Sequence, residues 1–213
     1  MELTVVEHPL VAERLADLRS TSSERPAFRA ALEELGSILV YEACRTFPTV
    51  DVTLDTPLGP APGRRLAHSP ILVPVLRAGL GLLHPALQLL PHADVAFIGV
   101  SRDEETFTPN EYVVKVPADL GGRTCIVLDP MLATGGSLEH TCRLLVERGV
   151  DTTIVVVCVL AAPEGLERMA GSGLDLHVIT ASVDSHLNEH RFIVPGLGDA
   201  GDRQFGAPYQ PKA

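Results

Sequence analysis

Hydrophobic and polar positions along the chain fall into two regimes. Over 26–47, Phe28, Ala31, Leu32, Leu35, Ile38 and Leu39 recur at three- and four-residue intervals, the spacing of one helix face. Pro26 suits the start of that helix. A shorter helix is predicted over 11–18. Periodicity then fades, and Pro57, Pro60, Pro62 and Gly63 mark 49–63 as loop or extended chain. From Ile71 onward, short apolar runs alternate with helical stretches. Strands are predicted over 71–76, 94–100, 112–116, 123–129, 153–160 and 174–180. Helices are predicted over 80–90, 137–148 and 164–170, the second closed by Gly149. The 112–116 strand reads as half of a hairpin with an exposed loop.

Apolar runs separated by helices describe a mostly parallel sheet covered on both faces, an α/β fold. Such sheets bind ligands beyond the carboxyl ends of their strands. Residues that carry chemistry should therefore sit just after a strand. The 213 residues contain no internal repeat and no low-complexity linker, which suits one domain.

Composition narrows the partners. The chain has 27 acidic and 17 basic residues, a net charge of −10. That field disfavours nucleic acid and anionic membrane surfaces, but local arginines and helix N-termini can still hold an anionic small molecule. Hydrophobic residues make up 46% with no Trp, and mean hydropathy is +0.20, an aliphatic excess often found at subunit interfaces. Cys44, Cys125, Cys142 and Cys158 show no C-x-x-C pair and no zinc-ligand spacing. No secretory signal opens the sequence, and the apolar run 154–162 is too short to span a bilayer. A cytoplasmic, reduced setting is expected.

The densest chemical signal is the run 128–137, a strand passing through Asp129-Pro130-Met131-Leu132-Ala133-Thr134-Gly135-Gly136-Ser137 into a helix. A phosphate needs donors from several directions. Thr134 and Ser137 offer hydroxyls, the glycines let backbone amides approach, and the helix adds its free N-terminal amides. Asp129 would repel phosphate but can accept hydrogen bonds from sugar hydroxyls, so the pair suggests a sugar phosphate. Arg77 also follows a strand, in a turn loosened by Gly79 and Gly81, where a guanidinium can grip phosphate oxygens. Arg102 follows another strand, and Asp103, Glu104 and Glu105 could equally pair with it.

Two further patterns are set aside. Gly196-Leu197-Gly198-Asp199-Ala200-Gly201 satisfies G-x-G-x-x-G, but no helix within a βαβ unit is expected to follow. The segment is read instead as nonhelical chain exposing backbone amides and carbonyls. His186-Leu187-Asn188-Glu189-His190 spells H-x-x-E-H, whose histidines need one helical face to hold zinc. It is read as a solvated turn, and no metal ligands are assigned.

The run 129–137 resembles the signature of the type I phosphoribosyltransferases, and the single Asp129 beside Pro130 resembles the uracil phosphoribosyltransferase family. His8-Pro9-Leu10-Val11, Tyr41-Glu42-Ala43, the turn 73–81, Arg102 with Glu104-Glu105-Thr106, and 194–203 are similar to further blocks of that family, in the same order. The resemblance implies a type I phosphoribosyltransferase core over 66–182, a helical and arm region over 1–65, and a base-binding hood over 183–213.

It also implies transfer of ribose 5-phosphate from phosphoribosyl pyrophosphate (PRPP) to uracil, with Mg²⁺ bound alongside PRPP. Arg77, Arg102 and Asp129 would be catalytic. PRPP would meet Arg77, Arg102, residues 129–137 and Asp199; uracil would meet Ile193, Gly198, Asp199 and Ala200. The family further suggests a homo-oligomer and GTP as an effector. The C-terminal 205–213 departs from the family's short Gly-Thr-Lys-like ending, so no role is carried over to it. Two other readings stay open: an RNA-binding regulator on the same fold, and transfer to another base. The acidic balance counts against the first.

Overall fold

The computed structural model describes residues 1–102, 109–117 and 120–207. An edge strand β1 (Glu2–Val5) precedes two helices, α1 (Pro9–Arg19) and α2 (Arg25–Ala43), the latter extended by a 3-10 turn over Cys44–Thr46. A hairpin follows, β2 (Thr49–Thr56) and β3 (Gly59–Leu66). The core runs through β4 (Ile71–Pro74), α3 (Leu80–Leu89), β5 (Asp94–Val95), β6 (Phe97–Arg102) and β7 (Pro109–Lys115). It continues with β8 (Cys125–Leu128), β9 (Met131–Leu132), α4 (Gly136–Glu147), β10 (Ile154–Ala161), α5 (Pro163–Gly171) and β11 (Leu176–Val183). The last elements are β12 (His186–Leu187), β13 (Ile193–Val194) and the short helix α6 (Ala200–Phe205).

The main sheet has the order β1-β11-β10-β8-β4-β5, with β9 added beside β10, and each of these pairings is parallel. Its central strands are buried on both faces, which is why they read as unbroken apolar runs. Alternation sorts their side chains. Leu72, Ile126, Leu128, Val155 and Val157 face the cluster built by α1, α2 and α3. Val73, Cys125, Val127, Ile154 and Val156 face the opposite cluster with Leu138, Cys142 and Leu145 of α4 and Met169 of α5. The expected face of α2 is buried as Phe28, Ala31, Leu32, Leu35 and Leu39, with Ile38 partly covered beside them.

Residues 49–63, expected as loop or extended chain, are extended: they form most of the antiparallel β2–β3 hairpin, Val50, Val52 and Leu54 alternating with Asp51, Thr53 and Asp55. Pro60 and Pro62 are two residues apart, so both missing donors fall on the same edge of the ribbon, which a strand with one neighbour tolerates. The strand predicted over 94–100 divides. Its first part pairs with β4 and its second leaves the main sheet to pair antiparallel with β7, the partner foreseen as half of a hairpin. Finally, β1 was not foreseen. Its four residues are largely exposed and its partner, β11, lies about 175 residues away in sequence, so no local pattern announces it.

Gly79 and Gly81 do not loosen the turn after β4; they allow it to pack. A Cβ on Gly79 would stand 2.2 Å from the Leu128 carbonyl oxygen and 2.7 Å from the Val75 nitrogen. On Gly81 it would stand 2.0 Å from the Gln204 side-chain oxygen. Gly79→Ala must push apart the backbones of β4 and β8, and is expected to lower unfolding free energy by about 2 kcal/mol, measured by urea denaturation. A stability equal to the parent would show that the turn has room to spare.

Candidate active site

The carboxyl ends of β4 and β8 meet at one point. The Leu128 carbonyl accepts from the Val75 amide at 2.9 Å, and Gly79 packs on the same oxygen. Asp129 follows directly. Its amide donates to Val157 O (3.1 Å), and one carboxylate oxygen accepts from the Met131 amide at 3.3 Å. The carboxyl is only partly accessible, and desolvation pushes its pKa up to about 7 against the usual 3.8, the Met131 hydrogen bond offsetting part of the rise.

The run after Asp129 is a strand tip more than a loop. The Pro130 carbonyl accepts from the amides of Val159 and Leu160, and Met131 and Leu132 pair with β10 as β9. Pro130 and Leu132 are buried, so their side chains shape the turn from inside. Ala133, Thr134, Gly136 and Ser137 keep partial exposure. Helix α4 starts at Gly136, one residue earlier than expected. Its N-cap is Gly135 at φ 76°, with no side-chain cap hydrogen bond. Gly135 therefore offers the first-turn amides of this 12-residue helix no side-chain cap, the arrangement that favours an anion. Glu139 in that turn is tied to Arg143 and Arg168, and these partners hold its pKa below the usual range. Sequence reading missed Gly165 of α5. A Cβ there would lie 2.4 Å from the Ala133 carbonyl, so the glycine lets α5 support the turn from beneath.

Arg77 lies in the turn after β4, beyond a cis Leu76–Arg77 peptide, and is exposed. Its guanidinium pairs with Asp202 at 2.9 Å. Arg102 ends β6; its side chain, and the expected block 104–106, lie outside the described residues.

The segment 193–201 closes the cleft from the opposite side. Ile193 is buried, Gly196 and Gly198 have φ of 64° and 81°, and the Val194–Pro195 peptide is cis. The expectation of a wholly nonhelical segment needs correction. Asp199 caps the six-residue α6 by accepting from the Asp202 amide at 2.8 Å, so Ala200 is already helical. The dinucleotide fingerprint still fails, because α6 is not the crossover of a βαβ unit.

A cleft of about 280 Å³ joins the turn after β4, the run after β8 and the C-terminal segment, while Arg77, Asp129 and residues 135–137 lie outside its lining. Met131, Ala133 and Thr134 line it from the β8 side and Ala78 from the turn after β4; Ile193, Gly198, Asp199 and Ala200 line it from the C-terminal segment. His190, Arg191 and Phe192 form a lip, of which His190 belongs to the stretch 186–190 that sequence reading treated as solvated turn. That turn is exposed, and it also faces the cleft. Asn188 shapes it, its side-chain oxygen accepting from the amides of His190 and Phe192. Arg191 sits at φ 64°, unusual for a residue with a side chain. Among the described residues no group of three or more His, Cys, Asp or Glu is placed to hold a metal.

Comparison with known proteins fits this arrangement. A family model described as uracil phosphoribosyltransferase matches residues 5–207. A uracil phosphoribosyltransferase of Corynebacterium glutamicum is 49% identical over 206 residues, covering 97% of each chain. One from Streptomyces avermitilis is 51% identical over 210 residues, covering 97% of this chain and 99% of the relative. The solved structure of AQ2163 protein from Aquifex aeolicus superposes with a TM-score of 0.90 at 36% identity, covering 96% of this chain and 98% of that one.

Proposed function

Because the chain belongs to the uracil phosphoribosyltransferase family, we propose that this cleft transfers the ribose 5-phosphate of PRPP to N1 of uracil, yielding UMP and pyrophosphate. The enzyme is a pentosyltransferase of pyrimidine salvage. The observation that carries the reading is convergence: three loops, each following a different strand, line one cleft sized for a small molecule.

Roles follow from chemistry. The glycine-capped N-terminus of α4, with Thr134 and Ser137, anchors the 5-phosphate, and that remote binding aligns the reacting carbon. Asp129 orients the ribose by accepting from its hydroxyls. As the bond from C1 to pyrophosphate stretches, negative charge gathers on the leaving group, which Arg77 and Arg102 stabilise. Asp199, with one oxygen committed to capping α6, presents the other toward PRPP. The amides and carbonyls of 198–200 meet the edge of uracil, whose acceptor, donor, acceptor order they can match. Cytosine would leave a donor facing a donor, at a cost of about 1–3 kcal/mol. Ile193 supplies the apolar wall.

Mg²⁺ would arrive with PRPP and neutralise charge on its pyrophosphate oxygens. Asp129, directly after β8, is the carboxyl that would stand beside such a substrate-held ion. The cellular setting proposed is the cytoplasm; among the described residues no helix is long and apolar enough to cross a membrane. A homo-oligomer is part of the proposal, supported by exposed Leu10 and Tyr41 along one groove and by Val50 and Leu54 on the β2–β3 hairpin. GTP as an effector belongs to it as a family expectation.

The test is direct. Incubating the protein with PRPP, Mg²⁺ and each nucleobase in turn is expected to yield UMP with uracil and little product with cytosine or purines. Folded protein that makes no UMP above background would sink the proposal.

A further inference from the structure

The base segment is held from behind by side chains that no step above uses. Asp184, just beyond β11, is buried, its side chain only 2% exposed. Arg19, the last residue of α1, meets both of its carboxylate oxygens, at 2.8 and 2.5 Å. The same guanidinium donates to the Gly196 carbonyl at 2.8 Å, while the Gly196 amide donates to Asp184 at 2.9 Å. Both polar groups of Gly196 are thus committed, one to each member of an ion pair. Ser182 adds a hydrogen bond to the carboxylate at 3.1 Å. Burial alone would raise the Asp184 pKa, but Arg19, the Gly196 amide and Ser182 together hold it below the usual range.

Gly196 admits no side chain. A Cβ there would stand 2.1 Å from the Ile193 carbonyl oxygen. One residue on, the Leu197 carbonyl accepts from Arg203 at 2.9 Å, and the same arginine reaches back to Ser20 O at 2.8 Å. Arg19 from α1 and Arg203 from α6 thus hold the carbonyls of two consecutive residues immediately before Gly198.

Buried ion pairs contribute little net stability against apolar replacements, whereas a fully satisfied one can fix a unique geometry. Backbone recognition of a base depends on such geometry, because hydrogen bonds weaken steeply off axis. We infer that Arg19 and Asp184 are positioning residues for base recognition, clamping the Gly196 peptide so that 198–200 present donors and acceptors in register with uracil. The inference rests on the uracil reading and adds to it the residues that set base selectivity.

The experiment uses Arg19→Lys and Asp184→Asn, with uracil and PRPP varied separately and thermal midpoints recorded. Lysine keeps the charge but cannot span both carboxylate oxygens and the Gly196 carbonyl. Asparagine keeps the shape but replaces one acceptor with a donor. KM for uracil is expected to rise about tenfold or more while KM for PRPP stays within about twofold, and the preference for uracil over cytosine in kcat/KM should fall by a similar factor. A merely structural role would reduce the active fraction, lowering kcat with both KM values intact; that result, or an equal rise in both, overturns the inference. Should Asp184→Asn fail to fold, Arg19→Lys carries the test, since the arginine side chain is 25% exposed. A parent protein that forms no UMP would instead remove the uracil reading, and the clamp's role with it.

Discussion

Asp129→Asn is expected to cut UMP formation by about a hundredfold or more while making the protein more stable at pH 8. Both effects come from one carboxyl. Desolvation raises the folded pKa from the usual 3.8 to about 7. The unfolded chain gives up this proton near pH 3.8, while the folded protein keeps it until about 7. The group's contribution to stability is thus complete below pH 3.8 and is lost as pH rises through 7. Asparagine carries no charge and its oxygen can still accept from the Met131 amide. Its advantage over the parent should therefore be near zero below pH 4, grow toward pH 7 and then level off, on the order of 3 kcal/mol. In a protein of this size that is about 5–10 °C in Tm.

Activity runs the other way, since ribose hydroxyls need an acceptor. In the parent, kcat/KM for PRPP should rise with pH through an apparent pKa near 7. Thermal melts at pH 4 and pH 8, together with that profile, check the account. Wild-type turnover by Asp129→Asn would place the residue outside the reacting site; unchanged melting at pH 8 would mean that its charge is well solvated.

Arg77→Ala is expected to lower kcat/KM for PRPP by about a hundredfold, with KM for uracil nearly unchanged. The guanidinium pairs with Asp202, but the two side chains are 46% and 39% exposed. A pair that open contributes at most about 1 kcal/mol, so it yields readily to pyrophosphate and its loss should barely move Tm. Lysine should recover only part of the activity, because a point charge cannot bridge two oxygens. Steady-state kinetics with PRPP varied at saturating uracil check this. An unchanged kcat/KM for PRPP in folded Arg77→Ala would assign the residue to the surface.

Much of this molecule is written locally. Strands β4, β8 and β10 read as apolar runs because both of their faces are buried, and α2 announces its buried face by spacing. Asp129, Thr134 and the glycines beside them could be marked as a sugar-phosphate cradle, because those donors and acceptors are contiguous and must follow a strand. Legibility fails where the partner is distant. The pairing of β1 with β11, the support that Gly165 gives to Ala133, and the tie from Arg19 to Asp184 join segments far apart in sequence, and no periodicity encodes them. The two glycines after β4 carried a local meaning, freedom, and proved to have a tertiary one, closeness.

The sequence alone thus determined the central strands β4, β8, β10 and β11, and the chemistry offered by the loops that follow them. Tertiary structure decided what those loops face: Asp129 sunk enough to shift its proton, Arg77 resting on Asp202, Ala200 already in a helix, and the 190–192 turn brought to the lip of the cleft. The reason is physical. Strand and helix preferences arise from near neighbours, whereas desolvation, ion pairing and cleft shape depend on groups that meet only after the sheet is assembled.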